Sequence, residues 1–292
     1  MKESNSLWQF SQITIDEMKT LPTNLQVGEF LHELGLLYFN KGNIEEAEGF
    51  YNQSLLMLKQ YLEPTHLSIA EALNNLANLY QVQLKYKEAE DIYLQILPIF
   101  EQYLGLEHVD LATVINNFAS VYRKQKKFDK ALSLYSQSYL IWEKQLGLDS
   151  EMLGVSLNEQ GLLHVAMGEF DKAEQCYKQA LAILNKIKGS NIAELLNNQA
   201  KVYLKQEKYK EALDLFEEAY SLDKLFLGET HYEVGMDLAN IAEIYYLLSQ
   251  YKLSNKHFKQ AIAILKQHKD VSYLLEEVNK KYVLLQTATA NM

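Results

Sequence analysis

Apolar residues recur along this chain at three- and four-residue intervals, in blocks of helical length separated by short polar breaks. That spacing predicts amphipathic helices. The blocks also repeat. NNLANLYQVQLKYKEAEDIY begins at Asn74, NNFASVYRKQKKFDKALSLY at Asn116 and NEQGLLHVAMGEFDKAEQCY at Asn158, each 42 residues after the last. NNQAKVYLKQEKYKEALDLF follows 39 residues later, from Asn197. Weaker copies start at His32 and Ala239, so six units span roughly residues 24–268.

Inside each unit the spacing is fixed. A small residue (Gly35, Ala77, Ala119, Gly161, Ala200, Ala242) is followed three residues on by Tyr38, Tyr80, Tyr122, His164, Tyr203 or Tyr245. Six further on stands Ile44, Tyr86, Phe128, Phe170, Tyr209 or Tyr251, then Ala47, Ala89, Ala131, Ala173, Ala212 or Ser254. The polar stretch between the two aromatic columns reads as a tight helix–helix turn. Each unit is therefore an antiparallel helical hairpin, with the small residue allowing close approach of the second helix. A single hairpin cannot bury its apolar face, so neighbours stack. The expected fold is all-α, a right-handed superhelical solenoid of six hairpins. A capping helix is expected in residues 1–23 and another in residues 269–292, the latter with Leu274, Leu275, Val278 and Tyr282 on one side.

Three local departures carry expectations. Pro98 lies inside a second helix, where it lacks an N–H for Leu94 and should kink the helix. The connector Asn185–Ser190 is three residues short, which removes about one turn of helix. His66, His108 and His231 recur at the start of first helices, where capping or loop packing suits them better than metal ligation.

Composition narrows the function. The 292 residues include only 3 Pro and 12 Gly, too few turn residues for an all-β protein of this size. The net charge is −10, and of 28 basic residues only Arg123 is arginine, which counts against nucleic-acid binding. No apolar run reaches the ~20 residues of a membrane span, and no secretory signal opens the chain, so a cytoplasmic location is expected. The single Cys176 supports neither an internal disulfide nor a cysteine-rich metal site and reads as a small buried apolar residue. Nucleotide, protease and hydrolase motifs are missing, so no enzyme activity, cofactor or metal is expected.

The columns resemble the tetratricopeptide repeat: Leu34-Gly35 or Leu76-Ala77, the tyrosine three beyond, the aromatic-x-x-Ala pair and the later column Tyr51, Tyr93, Tyr135, Tyr177, Phe216, Phe258. The 42-residue period, the connectors Leu104-Gly105-Leu106-Glu107-His108 and Leu227-Gly228-Glu229-Thr230-His231, and the Asn74–Ala77 run are similar to the long repeats of kinesin light chains and their bacterial relatives. The resemblance implies that first helices line a concave groove. It places Asn74, Asn75, Asn78, Asn116, Asn117, Asn158, Asn197 and Asn198 on that wall, with basic spots at Arg123 and Lys201.

A side-chain amide offers two donors and an acceptor, which suits the main chain of a bound peptide. The same amides could instead bond neighbouring helices and hold the stack together. The first reading makes the protein an adaptor or scaffold that binds a protein or peptide partner, one carrying an acidic segment opposite Arg123. The alternatives are a peptide-responsive signalling regulator and an accessory subunit of an enzyme complex.

Overall fold

The computed structural model describes residues 24–187, 191–268 and 271–290. The expected helix within residues 1–23 lies outside that range. Thirteen helices and no strands occur among the described residues. In chain order they are α1 (Asn24–Asn40), α2 (Ile44–Tyr61), α3 (Leu67–Val82), α4 (Tyr86–Leu104), α5 (Val109–Lys124), α6 (Phe128–Leu146) and α7 (Glu151–Met167). Then come α8 (Phe170–Ile187), α9 (Ile192–Lys205), α10 (Tyr209–Leu227), α11 (Tyr232–Leu247), α12 (Tyr251–Leu265) and α13 (Ser272–Ala290). Odd-numbered helices α1 to α11 are the first helices of the six repeats, and even-numbered ones the second.

The chain divides into two compact units, Met1–Gln125 and Lys126–Met292. In the first unit, α1 packs on α2 and α3 on α4, and α2 and α4 each meet the next first helix. The second unit repeats the scheme from α6 to α12 and adds α13 against α12 and α11. First helices also touch their successors, α1 with α3, α3 with α5 and α7 with α9. Within each unit these first helices thus lie side by side.

The aromatic column of the second helices is the core. Tyr51, Tyr93, Tyr135 and Tyr177 are fully buried, and Phe216 and Phe258 nearly so. The small column exists to admit these rings. A Cβ on Gly35 would lie 2.5 Å from the Tyr51 ring, and one on Gly161 2.5 Å from Tyr177, distances at which something must move. A second column, fourteen residues into each second helix, holds Leu58, Phe100, Trp142, Leu184 and Leu265, all buried. The fifth repeat has Asp223 at this place.

The hairpin turns share one conformation. Leu84, Lys126, Glu207 and Ser249 have φ of 61–62°, and Gly42 and Gly168 have 79° and 78°, so every turn passes through the left-handed region at the same place. The turn closes in Schellman fashion, with Lys85 N–H donating to the Tyr80 carbonyl at 2.8 Å and Lys208 N–H to Tyr203 at 2.9 Å. An L-residue there costs about 1–2 kcal/mol that glycine avoids, against about 0.5–1 kcal/mol of added backbone entropy. Leu84 is 69% exposed and loses no packing on truncation. Leu84→Gly should therefore raise stability by about 0.5–1 kcal/mol, measured by chemical denaturation. A destabilised variant would contradict this account of the turn.

First helices begin as expected. His66, His108 and His231 are N-caps whose Nδ1 accepts from the N–H two residues on, at 3.2, 3.1 and 3.3 Å. Ser150 caps α7 in the same way with its hydroxyl. At the short connector the cap is lost: Asn191 has φ of 63° and makes no side-chain cap bond. The missing residues come largely out of α9, which has 14 residues where α5 and α11 have 16. Pro98 does not interrupt α4, which runs unbroken from Tyr86 to Leu104.

Side chains lock some repeats to the next. Glu48, fifth residue of α2, accepts from Gln83 at 2.7 Å and lies 3.8 Å from Lys85. Glu90, at the same place in α4, accepts from Gln125 at 3.0 Å. Glu174 in α8 accepts from the Tyr203 hydroxyl at 3.0 Å. The third and fifth repeats have Leu132 and Leu213 there instead.

The candidate binding walls and the family

The two units present different inner walls. In the first, α3 and α5 carry the amides. Asn75 Nδ2 donates to His32 Nε2 of α1 at 2.9 Å. Burial lowers the His32 pKa, against the opposing pull of Glu33, which keeps the ring neutral and able to accept. Asn78 Oδ1 accepts from the Tyr93 hydroxyl at 2.5 Å and from Gln81 at 3.3 Å. These two amides hold helices together.

Of the remaining three in this unit, two hold an unsatisfied oxygen. Asn74 Oδ1 and Asn116 Oδ1 are buried without a hydrogen-bond partner. Asn117, half-buried between them and the open face, makes no side-chain hydrogen bond among the described residues. A buried acceptor without a donor costs about 1–3 kcal/mol, so this stretch of wall has unused capacity. Arg123 lies two turns on from Asn116, half-buried, its guanidinium 3.4 Å from the Ser120 hydroxyl.

In the second unit the amides bond one another or a carboxyl group, although Asn197 Oδ1 is also buried without a partner. Asn198 Nδ2 donates to Asn158 Oδ1 at 3.0 Å, and Asn197 Nδ2 to Asp237 Oδ1 at 2.7 Å. This wall is acidic. Glu159 accepts from the Tyr135 hydroxyl at 3.0 Å. Desolvation raises the Glu194 pKa, the charges of Glu159 and Glu233 add to the rise, and Asn158 and Lys201 work against it. Lys201 is exposed.

Behind that wall lies a pair of carboxyls that the column spacing does not lead one to expect. Asp237 on α11 is 1% exposed and lies beside Asp223 on α10. Burial pushes Asp237 up from 3.8 to about 7; the Asn197 bond opposes this, and the charges of Asp223 and Glu233 reinforce it. Burial raises Asp223 as well. Two carboxyls in contact share one proton, and Asp237 holds it. Asp223 takes the place of leucine or an aromatic in every other second helix, and that substitution is the signal that could have revealed the pair.

Cys176 is half-buried, and desolvation raises its thiol pKa, which leaves it unreactive. No cluster of three or more metal-ligating side chains occurs among the described residues. No helix in that range is long and apolar enough to cross a membrane.

Solved structures share this architecture. The chain is similar to BtubC (BKLC) from P. vanneervenii, with a TM-score of 0.63 and 19% identity, over 77% of this chain and 91% of that one. It is similar to a Podosopora anserina putative kinesin light chain with nearly identical TPR-like repeats, with a TM-score of 0.56 and 22% identity, over 70% of this chain and 98% of that one. At those identities the likeness speaks to fold. A curated relative, the RxLR effector protein SFI4 of Phytophthora infestans (strain T30-4), is 26% identical over 91 residues, 31% of this chain. The match spans a quarter of that relative's length. The tetratricopeptide repeat pattern itself matches residues 26–102, 110–186 and 191–267. With those three stretches covering most of the twelve repeat helices, the chain belongs to the tetratricopeptide repeat family, whose fold generally serves as a protein–protein interaction scaffold.

Proposed function

We infer that the protein is a non-enzymatic adaptor, and that the inner wall of its first unit holds a segment of a partner protein. One observation carries this reading: the unused acceptors Asn74 Oδ1 and Asn116 Oδ1 on adjacent first helices, with the half-buried Asn117 next to them in sequence. An extended or helical segment would offer both kinds of group to Asn117 and, with a turn of the Asn74 and Asn116 side chains toward the surface, N–H donors to their Oδ1 atoms. Asn75 and Asn78, tied to His32 and Tyr93, would shape the wall. Arg123 would meet an acidic group of the partner. On the second unit, Asn158, Asn197 and Asn198 bond one another or Asp237 through their amide nitrogens, Asn197 Oδ1 keeps no donor, and Lys201 would offer a cation to the partner.

Selection from a phage-displayed peptide library, followed by calorimetric titration of the winning peptide, tests this. Asn117→Ala should weaken that peptide by about 0.5–1.5 kcal/mol and Arg123→Ala by about 1.5–3 kcal/mol. Both should leave the melting temperature within a degree or two, and added salt should mimic the Arg123 change. If affinity holds across both variants while stability drops, the amides are structural and the wall is not the contact surface.

A further inference from the structure

Among the described residues, the last helix sits as the first half of a hairpin with no second helix against it. Tyr282 of α13 donates its hydroxyl to Asn255, the fifth residue of α12. That is the bond Tyr203 makes to Glu174, the fifth residue of α8. The Tyr282 ring packs on Phe258 at 5.4 Å, and Lys281 reaches back to Glu243 of α11 at 3.1 Å. With Tyr282 in the place of Tyr203 and Tyr245, α13 sits as the first helix of a seventh repeat. Asn279 then takes the small-residue position of Ala200 and Ala242, and Ser272 that of Gly154 and Gly235.

Those positions face the hairpin's own second helix. A Cβ on Gly154 would meet Leu184 of α8 at 2.7 Å, and one on Gly235 would meet Leu265 of α12 at 3.1 Å. On α13, no helix of the described residues fills that side. Ser272, Leu275, Asn279, Val283 and Leu284 line an open, mostly apolar groove of about 650 Å³ there. Val283 is 56% exposed and Leu284 68%. Val278, facing the stack, is 1% exposed, so the helix has two apolar sides and only one is covered.

We propose that the uncovered side of α13 is a homodimer interface, in which α13 of a second copy of this chain takes the second-helix place that no described helix fills. The second helix of a hairpin runs antiparallel to the first, and a two-fold axis places two α13 helices antiparallel. The groove is self-complementary in that arrangement. Glu276 and Lys280 lie on it one turn apart, bonded to each other at 2.9 Å and 69% and 71% exposed. In an antiparallel pair centred between them, each Glu276 meets Lys280 of the partner subunit, and each small Ser272 meets the bulky Leu284 of the partner subunit. One pair of helix faces buries less than a standard interface, so the dimer is expected to dissociate in the micromolar range.

Sedimentation equilibrium of the 292-residue chain from about 1 to 500 µM gives the test. The expected result is a reversible monomer–dimer equilibrium. Leu284→Glu should raise the dissociation constant at least about 30-fold with an unchanged melting curve, because that side chain touches nothing in the monomer. Glu276→Lys and Lys280→Glu should each be monomeric alone. Mixed together, they should pair, one face carrying two lysines and the other two glutamates. A chain that stays monomeric to 500 µM overturns the proposal, as does a dimer that survives Leu284→Glu. A dimer whose charge variants fail to pair on mixing overturns the antiparallel register. Binding of a heterologous helix to a strictly monomeric chain would assign the groove to a different partner.

Discussion

Replacing Asp237 with asparagine should make the protein more stable at pH 8 and leave it almost unchanged at pH 4. Asp237 is buried beside Asp223, and its pKa rises from 3.8 to about 7 in the fold. The sign follows from linkage. The folded state binds a proton that the unfolded state has released, so stability falls as pH rises between those two values. Below 3.8 the carboxyl is neutral in both states and costs nothing. Above about 7 the folded protein must hold it ionised against Asp223, or give up the local packing. The rise from 3.8 to about 7 corresponds to on the order of 4 kcal/mol. The asparagine keeps an oxygen to accept from Asn197 and never ionises, so the variant should lack this part of the pH slope. Other carboxylates titrate in the same range, so the quantity to measure is the difference between wild type and variant at each pH, by urea denaturation. Parallel curves from pH 4 to pH 8 would show that the pair is relaxed by water or by movement of α11.

Trp142→Ala should cost about 3–5 kcal/mol, among the largest losses any single truncation produces. Trp142 is the biggest side chain in the buried column of the second helices and is 1% exposed. Its removal leaves a large void in α6, in a layer where each helix touches few others. In stacked repeats such damage stays local before it spreads. The loss should therefore appear first as reduced amide protection in α6 and α7, and a denaturation curve with an early shoulder is the expected form. A single transition displaced by less than 1 kcal/mol would mean that the neighbouring helices close over the gap.

The sequence pattern displays the fold well because the repeat states each packing rule six times. One aromatic ring could be accidental, but a column of six, Tyr51 to Phe258, with a small residue always at the same offset is a contact. The histidine caps were legible for the same reason. The binding wall was less so, because the state of each amide depends on a side chain one repeat away. His32 ties down Asn75, Asp237 ties down Asn197, and nothing ties down Asn117. No local spacing separates those cases. The left-handed turn residue was masked by tolerance, since Leu84, Lys126, Glu207 and Ser249 occupy a conformation that glycine would have announced. Pro98 lies within one continuous helix, which α3 and α5 pack against on either side.

The uneven lock between repeats has a consequence for how the molecule comes apart. A carboxylate in the fifth place of a second helix ties it to the following repeat at Glu48, Glu90 and Glu174, whereas leucine stands there at 132 and 213. After Leu213 the next tyrosine, Tyr245, reaches Glu217 one turn further along, on an exposed surface, and the Asp223–Asp237 pair, which repels once Asp237 ionises, lies in the same layer. A chain pulled from its carboxyl end would therefore yield in blocks of unequal size. The segment from α11 onward would let go first and at low force, and at lower force still in alkaline solution. The remainder would hold until the next seam, ahead of α7. Such a molecule behaves less like a uniform spring than like a row of fasteners of graded strength, with the weakest set beside the end that carries α13.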